Sequence, residues 1–286
     1  ARYIQLSQTN RVGERRKKEN EGSFTRCQTY AAGQRIEFPQ ESEYLTMPSL
    51  GFKLMRYYIY DRLKWKKRIR SVQDSPNYDR LLEKLLSYQE ASSRYFTVFD
   101  LETTGFYPAL GDEVISIGAV KIDLVEGRIL EESFYRIVRP VHKVPRFVRQ
   151  LTGLSIDEIR AGWTFIEAFE EFMSFSKGTT LIAHPVKFDV YFLQTLARKW
   201  NLADYLPPYL DSEALAKELF PQSNPQLDSL IRKLNIERHE RHHALNDARM
   251  TAELCLKMFD RLNIKANYEQ EIRKRISRDN LVFGRK

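Results

Sequence analysis

Two carboxylates close one apolar stretch of the sequence. Residues 95–101 are rich in aromatic and β-branched side chains, which predicts a β-strand, and Gly105 breaks the pattern soon after Glu102. Side chains alternate along a strand, so Asp100 and Glu102 point to the same face. Two neighbouring acids repel one another, and a divalent cation between them relieves that repulsion. The stretch therefore indicates part of a metal site, against the alternative of two solvated acids at a strand end.

Two further acids and a histidine follow downstream, at predicted helix starts. Asp189 stands near the beginning of one helix, and His242 stands five residues before Asp247 at the beginning of another. Ligand-binding residues gather at such element ends in α/β folds. Taken singly, Asp189 and Asp247 would be interpreted as helix caps. As members of one set with Asp100 and Glu102, they predict a cluster of carboxylates.

These residues resemble the three exonuclease motifs of the DEDDh (DnaQ-like) family of 3′–5′ exonucleases. The motifs are Asp-Leu-Glu-Thr-Thr-Gly at residues 100–105, the pair Phe188-Asp189, and His242 with Asp247. The family includes the proofreading epsilon subunit of bacterial DNA polymerase III, the exonuclease domain of PolC-type polymerases, and ribonuclease T. The resemblance covers about residues 94–262 and implies a ribonuclease H-like fold.

By position, the resemblance implies a catalytic set of five residues. Asp100, Glu102, Asp189 and Asp247 would be the metal ligands for two Mg²⁺ or Mn²⁺ ions, since ligands that are all oxygen favour these ions over zinc. His242 would be the general base, a task that suits a side chain whose ordinary pKa is near neutrality.

Other residues around the motifs receive lesser roles. The resemblance places Thr103 and Gly105 beside the 3′-terminal nucleotide, where a glycine permits close backbone approach. Phe188 is expected to pack behind Asp189, and Phe106 is, with the tyrosine after it, a candidate contact to the terminal base.

The other histidines leave alternatives open. A slip of one position would make His243 the base, but the five-residue gap to the acid selects His242. A zinc cluster that also includes His239 is disfavoured because no cysteine lies nearby, and the charged neighbours, Arg241 among them, favour a solvated loop. His184 is interpreted as structural.

The resemblance implies a metal-dependent exonuclease that releases nucleoside 5′-monophosphates from the 3′ ends of single-stranded nucleic acid. DNA is favoured as the substrate, in proofreading or repair and with a DNA polymerase or another replication protein as partner. One alternative is an exoribonuclease that trims RNA 3′ ends. Another is a nucleic-acid-binding or polymerase-associated module whose catalysis is incidental.

The elements that position these residues follow from the pattern of apolar side chains. Strands are predicted at 95–101, 113–122, 129–138, 179–183 and 209–211, and short links join the first three. Later strands alternate with helices, predicted near 145–151, from 155, at 164–175, from near 189, and at 212–220, 227–234 and 247–262. Hairpins followed by such alternation predict a mixed five-stranded sheet flanked by helices.

The chain before the first strand differs in composition. Residues 1–93 contain 18 Lys+Arg and 11 Asp+Glu, a net +7 out of +8 for all 286 residues. Residues 1–50 lack periodicity and predict a flexible segment, whereas 51–93 predict a basic and aromatic helical extension. Segment 52–70 either binds phosphates and bases or is an amphipathic helix that docks its aromatic side chains on the exonuclease domain.

Composition excludes several classes of protein. No stretch approaches the ~18 apolar residues of a membrane span, and the first residues lack the apolar core of a signal peptide. Cys27 and Cys255 are far apart and are expected to be unpaired thiols in a reducing cytoplasm. Residues 263–286 predict a basic tail, after an exonuclease domain at 94–262.

Overall fold

The structure, a computed structural model, describes residues 50–73, 75–86, 94–262 and 275–276. The predicted flexible segment 1–50 and basic tail 263–286 lie outside the described residues, apart from Leu50 and residues 275–276. None of the helices in the described ranges has the length and apolar character needed to cross a membrane. The division of the chain into four parts stays a prediction.

Five strands form one mixed sheet, as predicted. They are β1 (Tyr95–Thr103), β2 (Val114–Asp123), β3 (Arg128–Ile137), β4 (Thr180–Ala183) and β5 (Tyr209–Asp211). Their order across the sheet is β3-β2-β1-β4-β5. β2 pairs antiparallel with β1 and β3, whereas β4 pairs parallel with β1 and β5. The antiparallel half follows from short links, and the parallel half requires crossovers through helices.

Helices cover both faces of the sheet. In chain order they are α1 (Leu50–Arg56), α2 (Arg62–Gln73), α3 (Pro76–Leu86), α4 (Arg146–Thr152), α5 (Ile156–Ala161), α6 (Phe165–Phe175), α7 (Val186–Lys199), α8 (Ser212–Leu219), α9 (Leu227–Lys233) and α10 (Ala244–Arg261). A π-helical turn, Tyr57–Asp61, joins α1 to α2. A 3₁₀ turn, Pro108–Leu110, lies between β1 and β2.

Local sequence explains most helix starts. Ser155 and Glu158 form a capping box at α5, as predicted, and Thr164 and Glu167 form another at α6. The start of α10 differs from the prediction, because the helix begins at Ala244 and not at residue 247. The last acid of the set therefore lies inside the first turn and does not occupy the N-cap.

The two faces of β1 belong to two different cores. Phe99 and Leu101 join the core cluster formed with α6 and α7, whereas Phe96 and Val98 join the cluster formed with α8, α9 and α10. Because side chains alternate along a strand, the even-numbered acids of β1 lie on the face that α10 covers.

The sequence predicts that the aromatic side chains of segment 52–70 either bind nucleic acid or dock on the exonuclease domain, and the structure shows that they differ in burial. Trp65 is buried, with its ring centroid 4.9 Å from that of Trp200 on the far side of the helical layer. Phe52, Tyr58 and Tyr60 are exposed. The docking interpretation is therefore confirmed for Trp65 and is wrong for Tyr58 and Tyr60, whose rings are mostly exposed to solvent.

Candidate active site

Asp100 and Glu102 lie at the end of β1, in the middle of the sheet. Asp100 is opposite Gly118 of β2, and Glu102 is opposite Ser116. Both acids are half-buried, on a strand that is flanked by strands on both sides and is covered by α10. Their positions are thus fixed by backbone pairing and do not depend on a mobile loop.

A glycine lets α10 approach these acids. A Cβ atom placed on Gly118 would lie 2.2 Å from the backbone nitrogen of Leu245 and 2.3 Å from the carbonyl carbon of Ala244. No side chain fits in this space, so the first turn of α10 lies directly on β2. Sequence reasoning missed Gly118, although a lone glycine inside an apolar strand is the signal of such a close approach.

The close approach of α10 to β2 also brings Glu102 of β1 close to His242 and Asp247 at the start of α10. Ligand atoms of Glu102, His242 and Asp247 all lie within 4.8 Å of one another. The backbone N–H of His242 donates to Asp247 Oδ2 at 3.2 Å. His242 has a left-handed backbone, with φ 61°, which turns the chain into α10 and directs the histidine and the acid to the same place.

Asp189 reaches the cluster from the opposite side of β1. It lies buried in the first turn of α7, directly after β4. Together with Asp100, it lies outside the 4.8 Å group. Its charge nevertheless raises the pKa of Asp100, after burial the largest cause, which indicates that the two carboxyl groups are neighbours.

The acids raise one another's pKa because they are buried together. Burial raises the pKa of Asp100, Asp189 and Asp247 above the ordinary range. Burial and the charge of Asp247 raise the pKa of Glu102 to about 8. The raised pKa values show that nearby positive charge does not balance the four acids, and a divalent cation held by carboxylate oxygens would complete that balance. The donor set therefore fits a hard divalent metal ion.

Arg241 already supplies part of that positive charge. One of its guanidinium nitrogens, Nη1, pairs with Asp247 Oδ1, and Nε lies 3.1 Å from Asp228 Oδ1. Its charge opposes the rise in the pKa of Asp100 and Glu102. Sequence reasoning used Arg241 only as a charged neighbour that favours a solvated loop at His239, and it missed the pairing of this guanidinium with the acids of the cluster.

His242 is the histidine that the fold places among the acids. Burial lowers its pKa, and the charge of Arg241 lowers it further. His243 stacks instead on Tyr135, with ring centroids 4.5 Å apart. Within the described part of the chain, His239 and His243 do not join any group of potential metal ligands, so the zinc alternative finds no support there.

His184 lies outside the acidic cluster. Its ring nitrogens lie 2.9 Å from Ser212 Oγ and 2.7 Å from the carbonyl oxygen of Pro225. Burial lowers its pKa to about 4. A neutral imidazole that holds two segments of chain together agrees with the structural role expected for it.

The loop after β1 is held by a network that the motif alone does not reveal. Thr103 Oγ1 donates to the carbonyl oxygen of Gly105 at 2.8 Å. A Cβ atom on Gly105 would lie 2.5 Å from Asp112 Oδ2. Asp112 accepts the N–H of Tyr107 at 2.9 Å and pairs with Lys53 Nζ of α1 at 3.1 Å. The extension therefore contacts the loop on which the terminal nucleotide is expected.

Two aromatic side chains of this region extend toward solvent or pack on a neighbour. Phe106 is 67% exposed. Its ring centroid lies 6.2 Å from that of Phe188, which in turn packs on Phe192 at 5.5 Å. Phe188 is thus part of the packing behind Asp189, as expected.

Comparison with known proteins assigns the chain to an exonuclease family. Residues 97–255, more than half of the chain, match the family model for the exonuclease domain RNase_T. The chain is 35% identical over 176 residues to a DNA polymerase III PolC-type of Thermotoga petrophila, and 30% identical over 174 residues to that of Streptococcus agalactiae. These alignments cover 61% and 59% of this chain, but only 13% and 12% of those much longer proteins.

Solved structures share the fold. The nuclease domain of 3′hExo, a DEDDh family member bound to rAMP, has a TM-score of 0.53 at 19% identity, over 60% of this chain and 95% of that chain. The E. coli ExoI–ssDNA complex has a TM-score of 0.51 at 20% identity, over 64% of this chain and 43% of that chain. Both likenesses concern the fold.

Proposed function

Because the chain belongs to the DEDDh exonuclease family, we propose that it removes nucleotides from the 3′ ends of single-stranded DNA and releases nucleoside 5′-monophosphates. The exonuclease class comes with the family. One observation supports the site in particular. Acids from β1, α7 and α10 converge with His242 at the carboxyl end of the central strand β1, and burial raises the pKa of each of these acids.

Four residues would hold the metal ions. Asp100, Glu102, Asp189 and Asp247 offer only carboxylate oxygens, which suit Mg²⁺ or Mn²⁺, and we propose two such ions. When bound, the ions supply positive charge at the phosphodiester and make a water easier to ionise. The pairing of β1 and the close approach of α10 fix the positions of these carboxylates before the substrate arrives.

His242 is proposed as the general base. Its lowered pKa leaves the imidazole neutral at neutral pH, so a ring nitrogen can accept the proton of the attacking water. The hydrogen bond from its own backbone N–H to Asp247 holds the histidine beside the acids. The positive charge that the ring acquires is then close to carboxylates that stabilise it.

Thr103 and Gly105 are proposed to receive the terminal nucleotide. They bracket the end of β1 directly after Glu102, and their mutual hydrogen bond fixes the turn. Asp112 fills the space behind Gly105 and shows why a larger residue does not fit there. A nucleotide on the other side of this backbone would meet the acids.

DNA is the proposed substrate because the relatives that are 35% and 30% identical to this chain are named as DNA polymerases. The chain spans about an eighth of those proteins, so a polymerase or replication partner and a role in proofreading or repair are proposals of their own. We also propose that residues 94–262 form the exonuclease domain, that 51–93 are an extension of it, and that the enzyme acts in the cytoplasm.

The direct test is cleavage of 5′-labelled single-stranded DNA and RNA of the same sequence, in Mg²⁺, in Mn²⁺ and in chelator. We expect a ladder of products that become shorter from the 3′ end, and we expect DNA to be shortened faster than RNA. In chelator, the oligonucleotides should stay intact. Faster cleavage of RNA would replace the proposal by an RNA-trimming exoribonuclease. Binding without cleavage in either metal would support a binding module.

A further inference from the structure

A second surface, away from the acids, is lined by positive charge. A groove of about 700 Å³ lies between α2 and the segment that follows β3. Lys64, Lys67 and Arg68 line it from α2, and Arg139 lines it from the opposite wall. Its floor is apolar and includes the buried rings of Phe165 and Trp200. We call this surface the basic groove.

The cations of the basic groove have no acidic partners. Among the described residues, no Asp or Glu forms an ion pair with Lys64, Lys67, Arg68 or Arg139. Lys64 and Arg139 instead donate to the carbonyl oxygens of Val141 and Arg160. Their charge is thus available to an outside anion.

Other cations of the same extension behave differently. Lys53 pairs with Asp112, Arg56 with Asp61, and Lys84 with Glu170. Ion pairing therefore differs along the extension. Among its described residues, Arg62, Lys66 and Arg70 also form no ion pair, but only Lys64, Lys67 and Arg68 line the concave surface with the apolar floor.

The basic groove connects to the end of β1 through a single buried residue. Glu113 pairs with Thr104, next to Thr103, through hydrogen bonds of 2.8 and 2.9 Å. Its side chain accepts the backbone N–H of Val141, in the wall of the groove, at 2.7 Å. Glu113 therefore links the backbone that follows β1 to the wall of the groove.

We propose that the basic groove binds the phosphodiester backbone of the single-stranded substrate, a few nucleotides before its 3′ end. Lysine and arginine side chains neutralise phosphates, and the apolar floor can accept sugars and base faces. This inference rests on the proposed exonuclease function and adds where the rest of the strand is held. α2 lies outside the residues that match the exonuclease family, so this site is an addition to the matched domain.

The test compares two pairs of substitutions on the same helix. Lys67→Gln with Arg68→Gln removes two charges from the groove. Lys66→Gln with Arg70→Gln removes two exposed charges of α2 that do not line it. Both are made in the full chain with Asp100→Asn, so that the oligonucleotide survives. The dissociation constant of a labelled twenty-nucleotide DNA is measured by fluorescence anisotropy from 50 to 200 mM NaCl.

We expect the groove pair to reduce the slope of log affinity against log salt by about 1.4, since each phosphate contact to a single strand contributes about 0.7. Over this fourfold range of salt, the parent should then lose about sevenfold more affinity than the groove pair. The control pair should keep the slope of the parent. A four-nucleotide DNA should show little difference between groove pair and parent.

Three results would overturn the proposal. The first is an unchanged slope for the groove pair, and the second is an equal change for both pairs, which would indicate a general charge effect. The third is an equal effect on four and twenty nucleotides, which would indicate a site for a single small anion. Arg139→Gln, expected to lower the slope by about 0.7, tests the opposite wall if the groove pair does not fold.

Binding is measured here without cleavage. Failure of the proposed exonuclease function would therefore appear as intact oligonucleotide with the wild-type chain, whatever the slopes of the variants. If the basic groove does not bind the strand, only the slopes of log affinity against log salt would show it, and cleavage by the wild-type chain would be unaffected.

Discussion

The acidic cluster and the basic groove are both concentrations of one sign of charge, but only one of them is buried. In the cluster, burial raises the pKa of Asp100 and Asp189 well above the ordinary range. In the groove, Lys67 is exposed to water and needs no partner. Buried acids that lie together can all be ionised only when a cation balances their charge. Exposed basic groups stay ionised in water, and their combined charge attracts an anion. Ionisation of the acidic cluster therefore depends on a bound cation, whereas the basic groove is charged without a ligand and simply attracts anions.

The largest effect should come from removal of one carboxylate. We expect Asp100→Asn to reduce cleavage by on the order of a thousandfold, since a catalytic metal contributes several kcal/mol of charge stabilisation. The unfolding temperature without metal should not fall, because a carboxyl group whose pKa is raised by folding destabilises the folded state at neutral pH. Asp157→Asn is the matched control, since that side chain is 87% exposed. Full activity of Asp100→Asn would refute the site assignment.

Substitution of His242 should have the next largest effect, and it distinguishes the cleavage step from DNA binding. We expect His242→Ala to lower the rate of the cleavage step by roughly a hundredfold to ten-thousandfold, with little change in DNA affinity. His243→Ala removes the neighbouring ring, which stacks on Tyr135, and should have a smaller effect on the rate. Single-turnover kinetics and anisotropy give the two quantities. A loss of affinity without a slower cleavage step would show that His242 is not the base.

A third prediction tests whether the cluster depends on the close approach of α10. Gly118→Ala places a Cβ atom 2.2 Å from the backbone of Leu245 and should displace the first turn. We expect stability to fall by about 1–3 kcal/mol and cleavage to fall with it. Gly51→Ala is the control, because nothing lies within 4 Å of its added Cβ.

This substitution also sharpens the contrast between the two surfaces. The salt dependence of DNA binding should be retained in Gly118→Ala, since the basic groove does not contact α10. Unchanged cleavage and stability would mean that α10 adjusts without moving the acids.

The smallest effect concerns pH. Because folding raises the pKa of the acids, the metal-free folded protein retains protons that the unfolded chain has already released. The acids should therefore lower the free energy of unfolding as pH rises toward 8, the value to which burial raises the pKa of Glu102. This fall should be seen above about pH 6.5, because at lower pH the lowered pKa values of His184 and His242 act in the opposite sense. Mg²⁺ displaces the protons of the acids, so the increase in unfolding temperature that it causes should grow over the same range.

Thermal unfolding at pH 5.5, 6.5, 7.5 and 8.5, with and without Mg²⁺, measures this dependence. Groove substitutions should leave it unchanged, because lysine and arginine keep their charge throughout this range. An Mg²⁺ effect that is equal at every pH would contradict the picture of protonated acids in the metal-free protein.

Much of this protein follows from local patterns in its sequence. The alternation of strand side chains placed Asp100 and Glu102 on one face, and the apolar periodicity predicted all five strands and their mixed arrangement. The spacing of His242 and Asp247 placed both at the start of one helix. Each of these properties depends on residues close together in the chain, whose geometry is nearly independent of the rest of the fold.

Tertiary structure decided which distant groups meet. Arg241 looked like part of a solvated loop, yet it pairs with Asp247 because the other acids create a strong local field. Trp65 is buried whereas Tyr58 is exposed, although both belong to one basic and aromatic segment. Gly118 is required only because α10 lies directly on it. Such choices depend on contacts between remote parts of the chain, and periodicity and spacing along a sequence carry no direct record of them.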